Sequence, residues 1–209
     1  GFGNVGYWTA YFLQQEGGDS ALRTEAMRRL GDLQIEAGDN ARGETAGQGE
    51  AETREAIAIY TKLLEQEPDY ARADVVLYQL ARGWEALGEP EKALSCLDAL
   101  AAKYPASARM DEAQFRRGEI LFSAKRYSEA QKAYEAASAF GPQSEFYLQS
   151  VYKLGWSLFK QSENEASAEP FARVLDLALL DPAKPGVVRD PATLARADRE
   201  LVEDTFRVL

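Results

Sequence analysis

Small and apolar positions along this chain recur with a step of 37 residues. The step links Ala56, Ala93 and Ala130. It also links large apolar residues and prolines: Tyr60, Leu97, Tyr134 and Phe171, and Pro68, Pro105 and Pro142. A fixed period between about 20 and 50 residues is typical of architectures in which one supersecondary unit is copied along an axis. The pattern therefore predicts a repeat protein.

The copy from Asp74 to Pro105 shows what the unit is. Its first helix, helix A, carries an apolar stripe at i, i+3, i+4 and i+7, formed by Leu77, Leu80, Ala81 and Trp84. The sequence Gly-Glu-Pro at 88–90 then breaks the helix, and proline suits the first turn of the next one. Helix B continues at helical spacing through Ala93, Leu97 and Leu100. Each copy is predicted to be a helical hairpin.

Small residues on helix A suggest close packing of the two helices. Gly118 and Gly155, with Ala81 at the equivalent place, are expected to let helix B approach, where Ala93 and Ala130 face them. A large side chain there would cost about 1–3 kcal/mol by overpacking. Large residues are expected to fill the space between hairpins: Trp84, Leu121 and Leu158 on helix A, and Leu97, Tyr134 and Phe171 on helix B. Ser107 and Ser144 are predicted to be N-caps of the following helix A.

The spacing of Leu77, Leu80, Ala81, Trp84, Ala93, Leu97 and Pro105 resembles the tetratricopeptide repeat signature. The resemblance covers nearly the whole chain and implies an all-α fold, a right-handed α-solenoid of stacked antiparallel helix pairs. The period of 37 residues departs from the usual value of about 34. We expect the extra residues in the joint between hairpins, around 106–109, or at the start of helix A.

The predicted organisation has four repeats and two partial ends: 1–18 as a partial helix B, 19–68, 69–105, 106–142 and 143–182 as repeats, and 183–209 as a proline-rich loop with an unpaired helix. The first repeat contains a polar, glycine-rich stretch at Gly38–Glu50, which predicts a mobile surface loop. In the fourth repeat Pro170 is expected near the start of helix B, which is predicted to begin near Ser167 after a longer loop. Since stacked repeats need neighbours, the chain is expected to continue at both ends in a longer protein.

Composition narrows the function classes. The hydrophobic fraction of 45% and charged fraction of 28% are ordinary for a soluble globular protein. A net charge of −10 would repel nucleic acid and anionic lipid, and no apolar run is long enough to insert into a bilayer. The chain has no histidine, the usual general base and commonest zinc ligand, and its lone Cys96 is interpreted as a packed residue. We therefore predict no catalytic residues, no metal and no cofactor.

Two other patterns are weak evidence for a nucleotide site or a metal or acid–base site. Gly1, Gly3 and Gly6 match a dinucleotide-binding spacing, but that mechanism needs a strand before the loop and a parallel sheet, which the helical pattern does not offer. Glu163, Glu165 and Glu169 lie among serine and asparagine residues, so they are interpreted as a solvated surface rather than as an acid–base or metal site.

The resemblance also implies a binding face. In tetratricopeptide repeats helix A lines the concave surface, with its second, fifth, ninth and twelfth positions exposed. In the second, third and fourth copies these are Val75, Tyr78, Arg82 and Glu85; Glu112, Phe115, Glu119 and Phe122; and Gln149, Tyr152, Trp156 and Phe159. Six of the twelve are aromatic, whereas 11% of the chain is aromatic. We predict partner binding by nine of them: Tyr78, Arg82, Glu85, Phe115, Glu119, Phe122, Tyr152, Trp156 and Phe159.

Both the exposure of these aromatic residues and the function have alternatives. The same rings could pack on extra helices, on the C-terminal segment or inside a tight superhelix. The predicted function is a non-catalytic scaffold that binds a protein or peptide, and the alternative is a spacer or assembly module that contacts its neighbours end to end. Members that clamp chaperone C-termini use lysine and asparagine at the fifth and ninth positions, which here hold other residues, so apolar or aromatic segments are better candidate ligands.

The joints between hairpins suggest a compartment. The sequences K-Y-P-A-S at Lys103–Ser107 and G-P-Q-S at Gly141–Ser144, together with the long period, resemble bacterial envelope repeat proteins. This resemblance implies a periplasmic or outer-membrane-associated protein, with the cytoplasm as the alternative.

Overall fold

A computed structural model describes residues 20–41, 46–181, 184 and 187–209, and these residues are mainly α-helical. The helices are α1 (Ser20–Ala41), α2 (Ala46–Gln66), α3 (Ala73–Ala86), α4 (Pro90–Lys103), α5 (Met110–Ser123), α6 (Tyr127–Ser138), α7 (Tyr147–Lys160), α8 (Asn164–Leu179) and α9 (Arg196–Val208). A short 3-10 helix covers Pro191–Thr193. Within the described ranges the only β-type pairing is one antiparallel bridge between Leu180 and Val188.

The chain divides into two compact units, Gly1–Ser107 and Ala108–Leu209. In unit 1, α1 packs on α2, α3 packs on α4, and α2 contacts α3. In unit 2, α5 packs on α6, α7 packs on α8, α6 contacts α7, and α9 lies on α8. The predicted class, all-α with stacked antiparallel helix pairs, is confirmed. The repeat boundaries at 69, 106 and 143 stay a prediction.

Three of the hairpin turns share one geometry. Gly88, Lys125 and Ser162 stand 37 residues apart and all have a positive φ, of 71°, 60° and 66°. In each turn the next residue donates its N–H to a helix A carbonyl five residues earlier; the Glu89–Trp84 distance, for example, is 2.9 Å. This is the bond of a Schellman helix end, which requires a left-handed residue. Only the first of the three turns has glycine there, so the other two carry a strained residue.

A glycine on helix A lies directly under a ring of helix B in three hairpins. A methyl group added at Gly31, Gly118 or Gly155 would come within 2.5–2.8 Å of a ring carbon of Tyr60, Tyr134 or Phe171, respectively. Such distances are too short for real contacts, so the glycine makes room for the ring. The sequence predicted that Ala130 faces Gly118 and that the rings lie between hairpins. The structure adds that each ring packs against the glycine of its own hairpin.

The residue after the glycine differs with the ring that packs on the glycine. Tyr60 donates its hydroxyl to Asp32 at 2.6 Å, and Tyr134 donates to Glu119 at 2.5 Å. Both acids directly follow the glycine. Burial, together with this bond to a carboxylate, raises the pKa of Tyr60 and Tyr134 far above the ordinary range. In the fourth repeat Trp156 takes the place of the acid, and the ring is Phe171, which has no hydroxyl.

The serines after the hairpin prolines tie neighbouring hairpins together and do not cap helices. Ser107 donates to Asp74 at 2.7 Å, and Ser144 donates to Asp111 at 2.7 Å. The following helices begin only at Met110 and Tyr147, and neither has a side-chain cap. Ser144 Oγ also accepts the N–H of Phe146 at 3.2 Å, but Phe146 still precedes the helix. The prediction of N-caps is wrong because both serines lie too far before the first helical turn to reach its N–H groups.

The predicted loop at Gly38–Glu50 is mostly helical. Helix α1 continues to Ala41 and α2 begins at Ala46, while residues 42–45 lie outside the described part. A methyl group at Gly38 would lie 2.6 Å from Thr53 Oγ1 and 2.9 Å from the Gly49 carbonyl oxygen. Gly38 therefore serves close packing of two long helices, and the prediction of a loop over the whole stretch is wrong.

Helix α8 begins earlier than the sequence predicted. It starts at Asn164 instead of near Ser167, and Pro170 is a buried residue inside it. The ring of Pro170 removes the N–H that would bond to the carbonyl of Ala166. Ser167 donates its hydroxyl to the carbonyl of Asn164 at 2.8 Å within this first part of the helix. Proline is therefore accommodated two turns into the helix, and the long inter-helix loop is not formed.

Predictions can be compared with the structure at the C-terminal end but not at the N-terminal end, where residues 1–19 are not described. The expected partial helix at Tyr7–Gln15, like the glycine pattern at 1–6, lies outside the described residues. The predicted terminal helix is found as α9, which starts four residues after the expected Ala192. Asp190 accepts from the N–H of Ala192 at 2.9 Å and so caps the intervening 3-10 turn.

Candidate protein-binding surface

In unit 1 the predicted face of helix A is largely occupied by internal contacts. Tyr78, predicted to be exposed, is 3% exposed and belongs to the core. Arg82 pairs with Asp39 on α1 at 2.9 Å and also donates to Gln79 at 3.2 Å. Glu85 is half-buried. Tyr78 is therefore a correction to the predicted contact set, because its ring is buried and a partner could not reach it.

In unit 2 the predicted aromatic residues remain partly accessible. Phe115, Phe122, Tyr152 and Trp156 are half-buried, and Phe159 is 38% exposed. We call these five residues the aromatic face; they lie on α5 and α7.

On α5, the aromatic face is held by neighbouring rings. Phe115 packs on Phe146 and Tyr134, with ring centroids 5.4 and 6.1 Å away. Phe122 meets the edge of Tyr127 at 5.2 Å. Offset and edge contacts of this kind are the favoured arrangements of aromatic pairs. The rings are thus fixed in position before any partner binds.

A lysine links the two helices of the aromatic face. Lys153 on α7 lies 3.0 Å from Glu119 on α5 and 5.2 Å from the ring centroid of Phe122. Glu119 also accepts from the Tyr134 hydroxyl. Glu119, which the sequence predicted as a partner contact, therefore has two internal partners and connects α5, α6 and α7. Lys153 was missed because it lies next to the aromatic fifth position and not on it.

The most accessible part of the aromatic face is the end of α7. Trp156 stands edge-on between Phe159, at 5.5 Å, and Phe171, at 5.7 Å. The exposed Lys160 lies 5.7 Å from the Trp156 ring centroid. Buried Phe171 anchors the stack from below, so Trp156 and Phe159 form a rigid apolar surface beside a cation.

The C-terminal helix covers the other end. Tyr152 donates its hydroxyl to Asp204 on α9, and Leu201 packs against the same cluster. Burial and the bond to Asp204 raise the pKa of Tyr152 to about 12. A polar cavity of about 400 Å³ lies beside them, lined by Glu200, Glu203 and Arg207 among others. Packing on the C-terminal segment, one of the alternatives for the predicted rings, is therefore what the structure shows for Tyr152.

The described residues bear on metal binding, membrane insertion and thiol chemistry in three ways. They contain no group of three or more potential metal-ligating side chains. Among them, too, no helix combines the length and apolar character needed to cross a membrane. Cys96 is half-buried, and this burial raises the pKa of its thiol to about 11, which leaves it mostly protonated near neutral pH.

Comparisons with known proteins identify the fold. A tetratricopeptide repeat model matches residues 78–145. Among solved structures, MamA protein is 21% identical with a TM-score of 0.54, covering 86% of this chain and 88% of that chain. A putative kinesin light chain from Podosopora anserina with nearly identical TPR-like repeats is 17% identical with a TM-score of 0.55, covering 87% and 95%. BtubC (BKLC) from P. vanneervenii is 14% identical with a TM-score of 0.56, covering 91% and 85%.

Identities this low establish the fold alone. A comparison with curated proteins found no match. The predicted resemblance is confirmed: the tetratricopeptide repeat model matches residues 78–145, and the chain has the fold of tetratricopeptide-repeat structures. This fold binds protein partners, and proteins built from it are typically non-catalytic scaffolds.

Proposed function

We propose that this chain is a non-catalytic scaffold whose aromatic face in unit 2 binds a segment of a partner protein. The observation that carries the proposal is the partly exposed stack of Trp156 and Phe159 at the end of α7. Rigid rings that a partner can bury completely are the usual anchors of protein interfaces, at about 1–3 kcal/mol each.

Unit 2 is a better candidate than unit 1 for the partner-binding surface. The equivalent ring in unit 1, Tyr78, is in the core, and Arg82 is paired with Asp39. Binding there would have to break an existing ion pair. On α7, a partner needs only to cover rings that are already held in place, so little ordering cost opposes binding.

The surface favours a particular ligand chemistry. Edge-to-face rings beside Lys160 suit an extended or helical segment with apolar or aromatic side chains. Affinity is expected to be moderate, because the accessible stack is small and rim charges contribute little.

The proposal is tested by selection from a random peptide library on the immobilised chain. Peptides that bind should lose most of their affinity when Trp156 and Phe159 are changed to alanine. Phe140→Ala is the matched control, since Phe140 is also 38% exposed but lies on α6's C-terminal side, off the aromatic face. If selected peptides bind the Trp156→Ala/Phe159→Ala variant as well as the original chain, the aromatic face is not the binding site.

A spacer or assembly module is the second candidate, and one observation favours it. On α9, the Phe206 ring is 56% exposed. A large apolar side chain that stays accessible on an outer helix is one that a second molecule could cover. Sedimentation velocity over a concentration series tests it: association that is lost in Phe206→Ser supports the module, and a strictly monomeric chain contradicts it.

For localisation we propose the bacterial periplasm or the outer-membrane surface, supported by the joint sequences at 103–107 and 141–144 and by the long period. Fractionation of cells that express the complete protein tests this. Recovery in the cytoplasmic fraction would contradict it.

A further inference from the structure

The repeat pattern breaks at one register position in unit 2. Asp74 and Asp111 occupy equivalent positions 37 residues apart, and each accepts a bond from the serine of the next joint, Ser107 or Ser144. The next residue in this register is Leu148, whose side chain cannot accept a hydrogen bond. The residue in the serine register is Asp181, which instead lies 3.6 Å from Arg189. The fourth hairpin therefore lacks this tie.

An apolar groove lies where the tie would be. It has a volume of about 500 Å³ and runs between the joint before α7 and the last turn of α8. Its apolar lining comes from Pro142, Tyr147, Leu148, Leu177 and Leu180. Leu180 is 42% exposed, although large apolar side chains usually avoid water. The groove is within the range of about 300–1,000 Å³ that is typical of binding pockets.

Two carboxylates stand at the rim of this groove. Glu145 and Asp176 line it and are exposed. Neither is within ion-pair distance of a cation in the described part of the chain. Arg173, one turn before Asp176, instead donates to the Tyr147 hydroxyl at 2.9 Å and lies 5.9 Å from its ring centroid. Arg173 interacts electrostatically with Asp176 but makes no ion pair with it within 4.0 Å. The groove thus combines an apolar floor with two exposed acidic groups that are not engaged in ion pairs.

We propose that this groove is a second docking site, for a partner segment in which a bulky apolar side chain is flanked by lysine or arginine. The apolar side chain would cover Leu148, Leu177 and Leu180, and the basic residues would pair with Glu145 and Asp176. Charge complementarity favours this occupant over a second copy of the chain, which carries a net charge of −10. The site is separate from the aromatic face, so either can be correct without the other.

Three labelled peptides test the proposal by fluorescence anisotropy with the whole chain. The first has a Leu-Phe pair flanked by lysines, the second replaces the lysines by glutamates, and the third replaces Leu-Phe by Ser-Ser. We expect the first to bind about tenfold more tightly than either of the others, because Ser-Ser loses the apolar contact and glutamates would meet Glu145 and Asp176 as like charges.

Substitutions in the groove test whether the Lys-flanked peptide binds there. Leu148→Asp restores the residue found in the second and third repeats and should weaken binding of the Lys-flanked peptide about tenfold. Glu145→Lys/Asp176→Lys should reverse the preference, so that the Glu-flanked peptide binds better. The matched control Glu163→Lys/Glu165→Lys changes the net charge equally at exposed positions at the other end of α8, and should leave the preference unchanged.

The same measurements can overturn the proposal. Equal binding of the lysine and glutamate peptides, no binding of the Lys-flanked peptide at millimolar concentration, or an equal effect of the control variant would each contradict it. So would loss of binding in Trp156→Ala combined with no effect of Leu148→Asp, which would assign the peptide to the aromatic face. Self-association that Leu148→Asp abolishes would make a second copy the occupant.

Discussion

At the residue scale, three hairpins depend on a matched pair, a glycine on helix A and a ring on helix B, as in Gly118 with Tyr134. The equivalent positions one period earlier hold Ala81 and Leu97, a larger residue in place of the glycine and a smaller one in place of the ring. Where the ring is tyrosine, the residue after the glycine is acidic and accepts its hydroxyl. The sequence showed the small residues and the large ones, but spacing alone did not reveal that they meet within one hairpin.

Removing one hydroxyl tests this pairing. Tyr134→Phe deletes the bond to Glu119 and should lower the free energy of unfolding by about 1–2 kcal/mol, because the acceptor is charged and partly buried. Urea denaturation measures the change. Tyr127→Phe is the control on the same helix, since its ring packs on Phe122. Equal effects of both substitutions would contradict a specific role for the Glu119 bond.

The strained turns give a second prediction. Lys125→Gly and Ser162→Gly should each stabilise the chain by about 1 kcal/mol, because a side chain at positive φ is strained and glycine is not. Gly88→Ala, at the equivalent turn, should destabilise it by a similar amount. Thermal unfolding of the three variants checks the signs; a loss of stability in Lys125→Gly would show that the turn does not store strain.

At the element scale, the sequence predicted helices well where apolar spacing and breakers agree. The turn at Gly88-Glu89-Pro90 is an example, since α3 ends and α4 begins there. The sequence-based prediction failed where composition suggested one structure and packing imposed another. The glycines at 38–50 looked like a loop, yet Gly38 serves a helix contact, and Pro170 looked like a helix start, yet it lies within α8. Local propensity cannot report contacts made across the fold.

Helix-to-helix fit within a hairpin can be tested by exchange of the matched pair. In Gly118→Ala the new methyl group would lie 2.5 Å from Tyr134 Cε1, so we expect a loss of about 1–3 kcal/mol. Adding Tyr134→Leu reproduces the Ala81 and Leu97 combination and should recover part of that loss. Denaturant unfolding of the single and double variants forms a double-mutant cycle. Additive effects would mean that the two positions do not meet.

At the scale of the whole molecule, the fold was predictable because its signal is repeated along the chain. The binding face was predictable only in part. The resemblance placed five rings on an accessible face of unit 2, but Tyr78 proved to be buried, and Tyr152 is bonded to Asp204, 52 residues further along. Exposure depends on which elements pack over a helix, and a single hairpin's sequence does not contain that information.

The stability of the chain should fall in acid partly through Glu25. This carboxylate accepts from Arg28, Arg29 and Tyr70, and the Arg28 bond above all lowers its pKa from an ordinary 4.5 to about 2. Because the pKa is lower in the folded state, the stabilisation is complete above pH 4.5 and is lost as the pH falls towards 2.

Urea unfolding at several pH values measures this dependence. In Glu25→Gln the decrease in stability between pH 4.5 and pH 2 should be smaller than in the original chain. Glu36→Gln, an exposed position on the same helix, serves as the control. An unchanged pH profile in Glu25→Gln would show that this carboxylate does not contribute to the loss of stability in acid.

The pairing of glycine and ring also limits how repeats can be added to or exchanged within such a chain. A recombination event that joined α3 to a copy of α6 would set Ala81 against a tyrosine, whereas joining α5 to a copy of α4 would leave a leucine over a glycine and a void beside it. Only breakpoints in the joints between hairpins keep both members of a pair together. The heritable module of this array is therefore the intact hairpin, and engineered insertions should be cut at the same places.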